Sequence, residues 1–302
     1  MKYYSYMNKN KRCPCCYKDN YLFPITFNKK CKKFISLSNE RYQGYLEKIT
    51  REGDIKIKKC RSCGHHWYEW LPEKNLIIKM YDFHTRKNKK FNQRTFINKE
   101  KYIFKEINLL KNNFRNAKIS FLDYGSGMGL WTKIADKLDL ETYAFEPSVK
   151  RSLESKIHVI YNLRDIKDIK FDIINLEQVL EHIVDPEKVL KDLIKVSKLN
   201  TLFRIRVPNL SRSKEGKNLY KEWPYNGKNM HTLSPYEHIH GFTQKSLLML
   251  CKNSGFSISW KFILYNKPYL FIRILLGTFI KNISVTEIYL KKNNHILLKT
   301  RE

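Results

Sequence analysis

At 302 residues the chain has room for one large domain, or for one of ordinary size with a smaller appendage. Its 42% hydrophobic and 14% aromatic content excludes a disordered polymer, although 29% of residues are charged. Lys and Arg total 58 against 29 Asp and Glu, a formal net charge of +29 that raises nucleic acid as a partner. Lys supplies 44 of those 58 basic residues, scattered through a chain rich in Asn and Ile, which describes a solvated surface better than a phosphate groove of interleaved Arg and aromatics. Nothing reads as a membrane span, because the longest apolar stretch, Tyr269 to Ile280, is short and broken by Arg273 and Gly277. With no signal peptide in view, the expectation is a cytoplasmic protein.

Residues 1–118 hold 29 basic and 10 acidic side chains, a net +19, and six of the seven cysteines. Cys13-Pro14-Cys15-Cys16 and Cys60-Arg61-Ser62-Cys63-Gly64 each present a Cys-x-x-Cys pair. Two such pairs predict a closed four-thiolate site for structural zinc at Cys13, Cys16, Cys60 and Cys63. Cys15 is too strained to join it; Cys31, His65 and His66 are outside candidates, and buried free thiols are the alternative. The long spacing between the pairs predicts a hairpin, with strands at Phe34 to Leu37 and Ile55 to Ile57.

Ile119 to Tyr124 is a short apolar strand, followed by Gly125-Ser126-Gly127-Met128-Gly129 and a helical pattern from Leu130 to Leu138. Strand, glycine turn and helix in that order open a doubly wound nucleotide-binding sheet. Thr142 to Phe145 is a second strand ending in Glu146, placed where a carboxylate can accept both hydroxyls of a ribose. The glycines are spaced G-x-G-x-G rather than G-x-G-x-x-G, and Asp123 precedes them. An acidic residue there repels a pyrophosphate and suits a cationic amino-acid ligand.

Leu122 to Gly129, Glu146-Pro147-Ser148, Phe171 to Ile174 leading to Val179-Leu180-Glu181-His182-Ile183-Val184-Asp185-Pro186, and Arg206-Val207-Pro208-Asn209 together resemble the class I S-adenosylmethionine-dependent methyltransferases. More narrowly, they resemble the branch that modifies sugars and other small molecules, some of whose members carry an N-terminal four-cysteine zinc module. The resemblance covers residues 76 to 262. It implies an α/β fold with a doubly wound, seven-stranded Rossmann-like sheet, preceded by a zinc-binding module at 1–75. The methyltransferase domain would span 76–302, with a helical linker at 76–118 and an acceptor lid at 209–242.

For S-adenosylmethionine, the resemblance implies that Gly125, Ser126, Gly127 and Gly129 line the methionine end, with Asp123 near its ammonium. It implies Glu146 on the ribose, Asn162 and Leu163 at the adenine, where the family usually has Asp, and Glu177 under the methyl group. Asp185 and Pro186 begin the helix after His182.

The loop from 209 to 242 is long for a compact domain and carries Trp223, Tyr225, His231, Tyr236, His238 and His240. Tyr236 to Thr243 is similar to the Glu-His segment of sugar methyltransferases, which implies His238 as general base supported by Glu237. His240, Tyr236 and His182 would contact the acceptor; the alternative is that these residues pack the lid and Thr243 caps the next helix. Two last strands are expected near Ser257 to Phe262 and Ser284 to Tyr289, with an apolar helix at Leu270 to Phe279 between them. The absence of a further domain after them favours a hydroxyl oxygen as acceptor atom.

The expected partner is therefore a small-molecule or glycan acceptor, anionic in view of the basic charge. An RNA methyltransferase gripping RNA with its zinc module is the alternative, although Asn175-Leu176-Glu177-Gln178 stands where an amino-group methylase has Asn/Asp-Pro-Pro-aromatic. A cofactor-binding scaffold without catalysis is the third reading, disfavoured by the histidines. Oligomeric state is not encoded in any of these features.

Overall fold

The computed structural model describes residues 7–9, 11–27, 32–45, 55–82, 93–115, 118–148, 159–166, 168–210, 223, 225–226, 229–230, 232–234, 236–276 and 285–293. Its main body is a seven-stranded sheet. Its first strand in chain order is β6 (Ser120–Tyr124), an interior strand every residue of which is buried, as a parallel strand covered on both faces requires. β7 (Glu141–Phe145) and β8 (Val159–Ile160) extend the sheet on one side of it. On the other side lie β9 (Phe171–Glu177), β10 (Ser197–Pro208), β15 (Val285–Lys292) and β14 (Phe256–Ile258).

The order is β14-β15-β10-β9-β6-β7-β8, with β15 antiparallel to both neighbours and the other pairings parallel. After β8 the chain crosses back over β6 to start β9, so the sheet switches direction between β6 and β9. A crevice opens at the carboxyl ends of strands at such a point.

α4 (Leu130–Asp136) starts directly from the glycine turn, and α5 (Pro186–Lys195) starts with Asp185 as its N-cap, accepting from the Lys188 amide, and proline in the first turn. α6 (Gln244–Asn253) carries a capping box in which Thr243 and Ser246 satisfy each other's amides. α2 (Lys74–Asp82) and α3 (Gln93–Lys111) precede β6 in the chain. α7 (Trp260–Asn266) and α8 (Pro268–Leu276) lie between the last two strands; residues 277–279 of the expected apolar helix lie outside the described residues.

The N-terminal part forms a second sheet from β2 (Tyr21–Phe27), β3 (Ile55–Cys60) and β4 (His66–Tyr68). Its fourth strand is β13 (His240–Gly241), from the far end of the 209–242 loop, paired antiparallel to β4. β1 (Met7–Lys9) pairs with β5 (Trp70–Pro72).

The hairpin expectation is corrected: Ile55 to Ile57 lie in a strand, but Phe34 to Leu37 lie in helix α1 (Lys32–Tyr42). A four-residue apolar run does not distinguish the two periods, and the helix carries Tyr42 to a buried position at its end. The partner of β3 is β2, whose Pro24 argues against a strand in sequence. The ladder accommodates it with a register shift between Leu22 and Ile25.

Candidate active site

Gly125, Gly127 and Gly129 adopt φ of +77°, +56° and +69°, in the left-handed region that penalises a side chain. At Gly125 an added Cβ would also stand 2.7 Å from Val179 Cγ2. The turn is fixed by the Gly125 and Ser126 amides, which both donate to the Phe145 carbonyl at 2.7 and 3.0 Å. Glu146 is buried at the tip of β7; its Oε2 accepts from the Gly127 amide at 2.9 Å and its Oε1 from the Ser148 amide at 3.0 Å. Each oxygen retains a second lone-pair direction. Ser126 Oγ is buried with no hydrogen-bond partner among the described residues.

Asp123 is buried one residue before the end of β6, and accepts from Thr132 Oγ1 and Asn175 Nδ2, each at 3.0 Å. Burial raises its pKa to about 6 against the opposing pull of those hydrogen bonds. Asn162 lines the same cavity beyond β8, with its Oδ1 accepting from the Arg164 amide at 3.0 Å, and Leu163 stands beside it. Glu177 closes β9 between two guanidinium groups, Arg204 at 2.8 Å and Arg206 at 2.5 Å. Gln178 follows with φ of +56°, a strained conformation for a residue with a side chain.

Apart from Gly129, the expected cofactor residues, together with Gln178, His182, Glu237 and His238, line one cavity of about 1550 Å³ at the switch point. That exceeds the ~300–1,000 Å³ usual for a single small ligand and leaves room for two molecules side by side.

At the other end of the cavity, His182 Nδ1 donates to the Glu237 carbonyl at 2.7 Å and His238 Nδ1 donates to the Thr232 carbonyl at 2.6 Å. A carbonyl only accepts, so both imidazoles carry their hydrogen on Nδ1 and, when neutral, a lone pair on Nε2. The rings meet edge to face at 4.5 Å. Glu237 Oε2 accepts from the Tyr42 hydroxyl at 2.5 Å, which ties its carboxylate to α1.

Two residues expected at the acceptor stand elsewhere. Tyr236 is buried in a hydrophobic cluster with Tyr42, Tyr68 and Leu233, and takes φ of +61°. His240 is buried in β13 with Nδ1 3.1 Å from His65 Nε2, and burial lowers its pKa to about 4. Neither lines the cavity; both hold their segment to the N-terminal sheet. Thr243 caps α6 and also donates to the Cys63 carbonyl at 2.8 Å.

The four cysteines of the two Cys-x-x-Cys pairs are buried, with their sulfurs all within 4.8 Å of one another and Cys13–Cys63 and Cys16–Cys60 at 3.5 Å. Tetrahedral zinc at ~2.3 Å from each thiolate requires sulfurs about 3.8 Å apart, so the set fits that ion. Gly64, at φ +75°, turns the second knuckle. Burial pushes the Cys60 thiol up, and the Cys63 backbone, the Cys16 side chain and the Ser62 backbone outweigh it, leaving it below the ordinary thiol value. Cys15 is buried outside this set and His66 Nδ1 donates to the Gly64 carbonyl, while Cys31 and His231 lie outside the described residues.

The N-terminal sheet and the 223–254 stretch are joined by side chains as well as by β13. Tyr68 Oη donates to the Leu233 carbonyl at 2.9 Å, Trp223 Nε1 donates to the Tyr68 hydroxyl at 3.2 Å, and Asn253 Nδ2 to the Cys15 carbonyl at 3.0 Å.

One group beside the site escaped the sequence reading. Arg204, fully buried, donates to Asn175 Oδ1 at 2.9 Å and pairs with Glu177 and with Glu287 at 2.6 Å, its guanidinium 4.4 Å above the Trp131 ring. Glu106, paired with Lys267, completes the cluster. Asn175 thus links Asp123 to Arg204. The signal was present as two arginines alternating with Phe203, Ile205 and Val207 in an otherwise apolar strand.

A seven-stranded sheet with one antiparallel strand, a glycine turn after β6 and a carboxylate ending the next strand defines a Rossmann-like, doubly wound fold. The methyltransferase-domain profile matches residues 95–259, more than half of the chain, and the chain belongs to that family. It is an S-adenosylmethionine-dependent methyltransferase.

Similar solved structures include the plantazolicin methyltransferase BamL in complex with a triazolic desmethylPZN analogue and SAH, at 16% identity and a TM-score of 0.47, covering 64% of this chain and 84% of that one. An S-adenosylmethionine-dependent methyltransferase from Clostridium acetobutylicum is 12% identical at TM-score 0.42, covering 64% and 92%. One from Archaeoglobus fulgidus is 14% identical at TM-score 0.43, covering 64% and 94%. No curated protein matches the chain. Among the described residues no helix is long and apolar enough to cross a membrane.

Proposed function

We propose that this enzyme methylates a hydroxyl oxygen of a sugar or other small hydroxylated metabolite, free or carried on a nucleotide or glycan. The observation that carries this reading is one cavity with a glycine turn and Glu146 at one end and two tautomer-fixed imidazoles at the other. When bound, S-adenosylmethionine supplies a methyl group on a sulfonium, a good leaving group, so the protein has chiefly to align the acceptor and handle one proton.

Glu146 accepts the ribose hydroxyls through its remaining lone pairs, while Asn162 and Leu163 flank the adenine. Asp123 and the glycine turn, with Ser126 Oγ available, receive the methionine end, and Glu177 lies toward the methyl group. His238 presents its Nε2 lone pair to the acceptor hydroxyl and takes its proton, with His182 beside it. Glu237 supports His238 through the backbone it shares with it and through its anchor on Tyr42.

Structural zinc on Cys13, Cys16, Cys60 and Cys63 holds the N-terminal module together. The module's task is to brace the acceptor side, since its sheet takes β13 as a strand and its tyrosines grip residues 233 and 237. This joint also weighs against a module that projects as an independent RNA grip. The basic surface favours an anionic acceptor.

Incubation with methyl-labelled S-adenosylmethionine and a panel of sugar nucleotides, acidic glycans, hydroxylated metabolites and total RNA tests the reading. Label in a small-molecule or glycan fraction is expected. Label confined to RNA would overturn it in favour of the RNA methyltransferase.

A further inference from the structure

We propose that Glu181, His182 and His238 form a three-ligand site for a divalent first-row transition-metal ion in the wall of the acceptor end of the cavity. The inference rests on that end of the cavity receiving the acceptor.

The three side chains each bring one ligand atom to within 4.8 Å of the others. His182 Nε2 stands 3.8 Å from Glu181 Oε1. A single proton acceptor needs one lone pair, whereas here three donors of the kind a cation takes converge from two segments distant in sequence. The segments are fastened to each other: the Ile239 amide donates to the Glu181 carbonyl at 2.9 Å, and His182 Nδ1 donates to the Glu237 carbonyl.

Two further observations point to a ligand. Glu181 is 1% exposed, and neither carboxylate oxygen accepts a hydrogen bond among the described residues. A buried carboxylate in that state is costly unless a positive partner completes it. Both imidazoles donate Nδ1–H to backbone carbonyls, which is the arrangement that fixes a metal-bound histidine and directs Nε2 to the ion. Ligation at about 2.1 Å in tetrahedral geometry needs the donors roughly 3.4 Å apart, so the set closes by side-chain rotation of ~1 Å.

Two imidazoles and one carboxylate select ions such as Zn(II), Co(II), Ni(II) or Fe(II), and three protein ligands leave a position open toward the cavity. His182 and His238 line that cavity, and Glu181 is buried beside His182. An acceptor hydroxyl can take the open position. With an ion bound, the His238 lone pair is a ligand rather than the base, so the base step given to it above belongs to the ion-free protein, and the proton of the acceptor's O–H bond passes to water.

The test is a titration of the purified 302-residue protein, pre-loaded with one equivalent of Zn(II), with Co(II), followed by absorbance and calorimetry. One equivalent should bind with visible d–d bands and no new thiolate charge-transfer band, which would mark exchange into the cysteine site. Glu181→Gln and His238→Gln should each weaken Co(II) binding by at least about tenfold. No binding near stoichiometric Co(II), or unchanged affinity in both variants, overturns the site.

Binding of S-adenosylhomocysteine to each variant reports that it is folded. If a variant fails that check, the wild-type protein decides alone: two paramagnetically shifted histidine N–H resonances with Co(II) support the site, and none overturns it. Loss of homocysteine-ligand binding in the wild type would instead defeat the methyltransferase reading, whatever Co(II) does.

Discussion

The glycine-turn half of the cavity comes from one stretch of chain, β6 through the turn after β9, and its contacts are mostly between neighbours in sequence or in the sheet. The imidazole half is assembled from residues 42–68 and 181–243, joined by β13 and by side chains as far apart as Tyr42 and Glu237. Local construction makes the first half a pre-formed binding site. The second depends on the cysteine cluster at one end of the module and the tyrosines at the other.

The largest separation of the two halves should follow from Cys60→Ser. If the four cysteines hold structural zinc as proposed, loss of one thiolate removes much of a binding energy of order 10 kcal/mol. The N-terminal sheet should become protease-sensitive and methyl transfer should fall at least about a hundredfold, while S-adenosylhomocysteine affinity changes less than about threefold. Parallel loss of both would show that the halves fold as one.

Arg204→Met strikes the ion cluster behind the glycine-turn half. Removing the cation leaves Glu106, Glu177 and Glu287 close together in the interior, a change worth about 3–5 kcal/mol. Urea unfolding should show the whole-domain midpoint moving down, in contrast to the local effect of Cys60→Ser.

Gly125→Ala forces a side chain onto a φ of +77° and against Val179. A cost of about 1–2 kcal/mol is expected, with S-adenosylhomocysteine bound about tenfold more weakly.

The two halves should also differ in pH response. Asp123 has its folded pKa raised to about 6, from about 3.9 in the unfolded chain. The apo protein is therefore free of the burial cost below about pH 4, incurs it as pH rises, and carries it in full above about 6. A ligand ammonium near Asp123 favours the charged form, so affinity should fall up to tenfold per unit as pH drops below about 6. Asp123→Asn should flatten that profile, and an unflattened one would place the ammonium elsewhere.

The smallest effect is expected for Tyr42→Phe, which removes the hydrogen bond to Glu237 and about 1–2 kcal/mol of support for the imidazole half. It should raise the acceptor KM several-fold and leave cofactor affinity alone.

The same contrast explains what could be read from the chain. Strand, glycine turn, helix and Glu146 follow one another in sequence, and their spacing carries their geometry. The cysteine pairs were legible because each Cys-x-x-Cys is a local turn, and the fold brings the two pairs together. His240 and Tyr236 belong to a histidine- and aromatic-rich segment whose residues divide between the cavity and a joint with a sheet some 170 residues earlier, as the His65–His240 contact shows. No local pattern encodes that division. Glu181 reads as an ordinary member of a turn until the fold places it against two imidazoles.

The most direct measurement is calorimetric titration of S-adenosylhomocysteine into wild-type protein, Glu146→Ala and Tyr42→Phe. One ligand should bind per chain, at least about tenfold more weakly in Glu146→Ala and unchanged in Tyr42→Phe. Absence of binding to the wild type, or equal weakening by both substitutions, would contradict a cavity with a separate cofactor half.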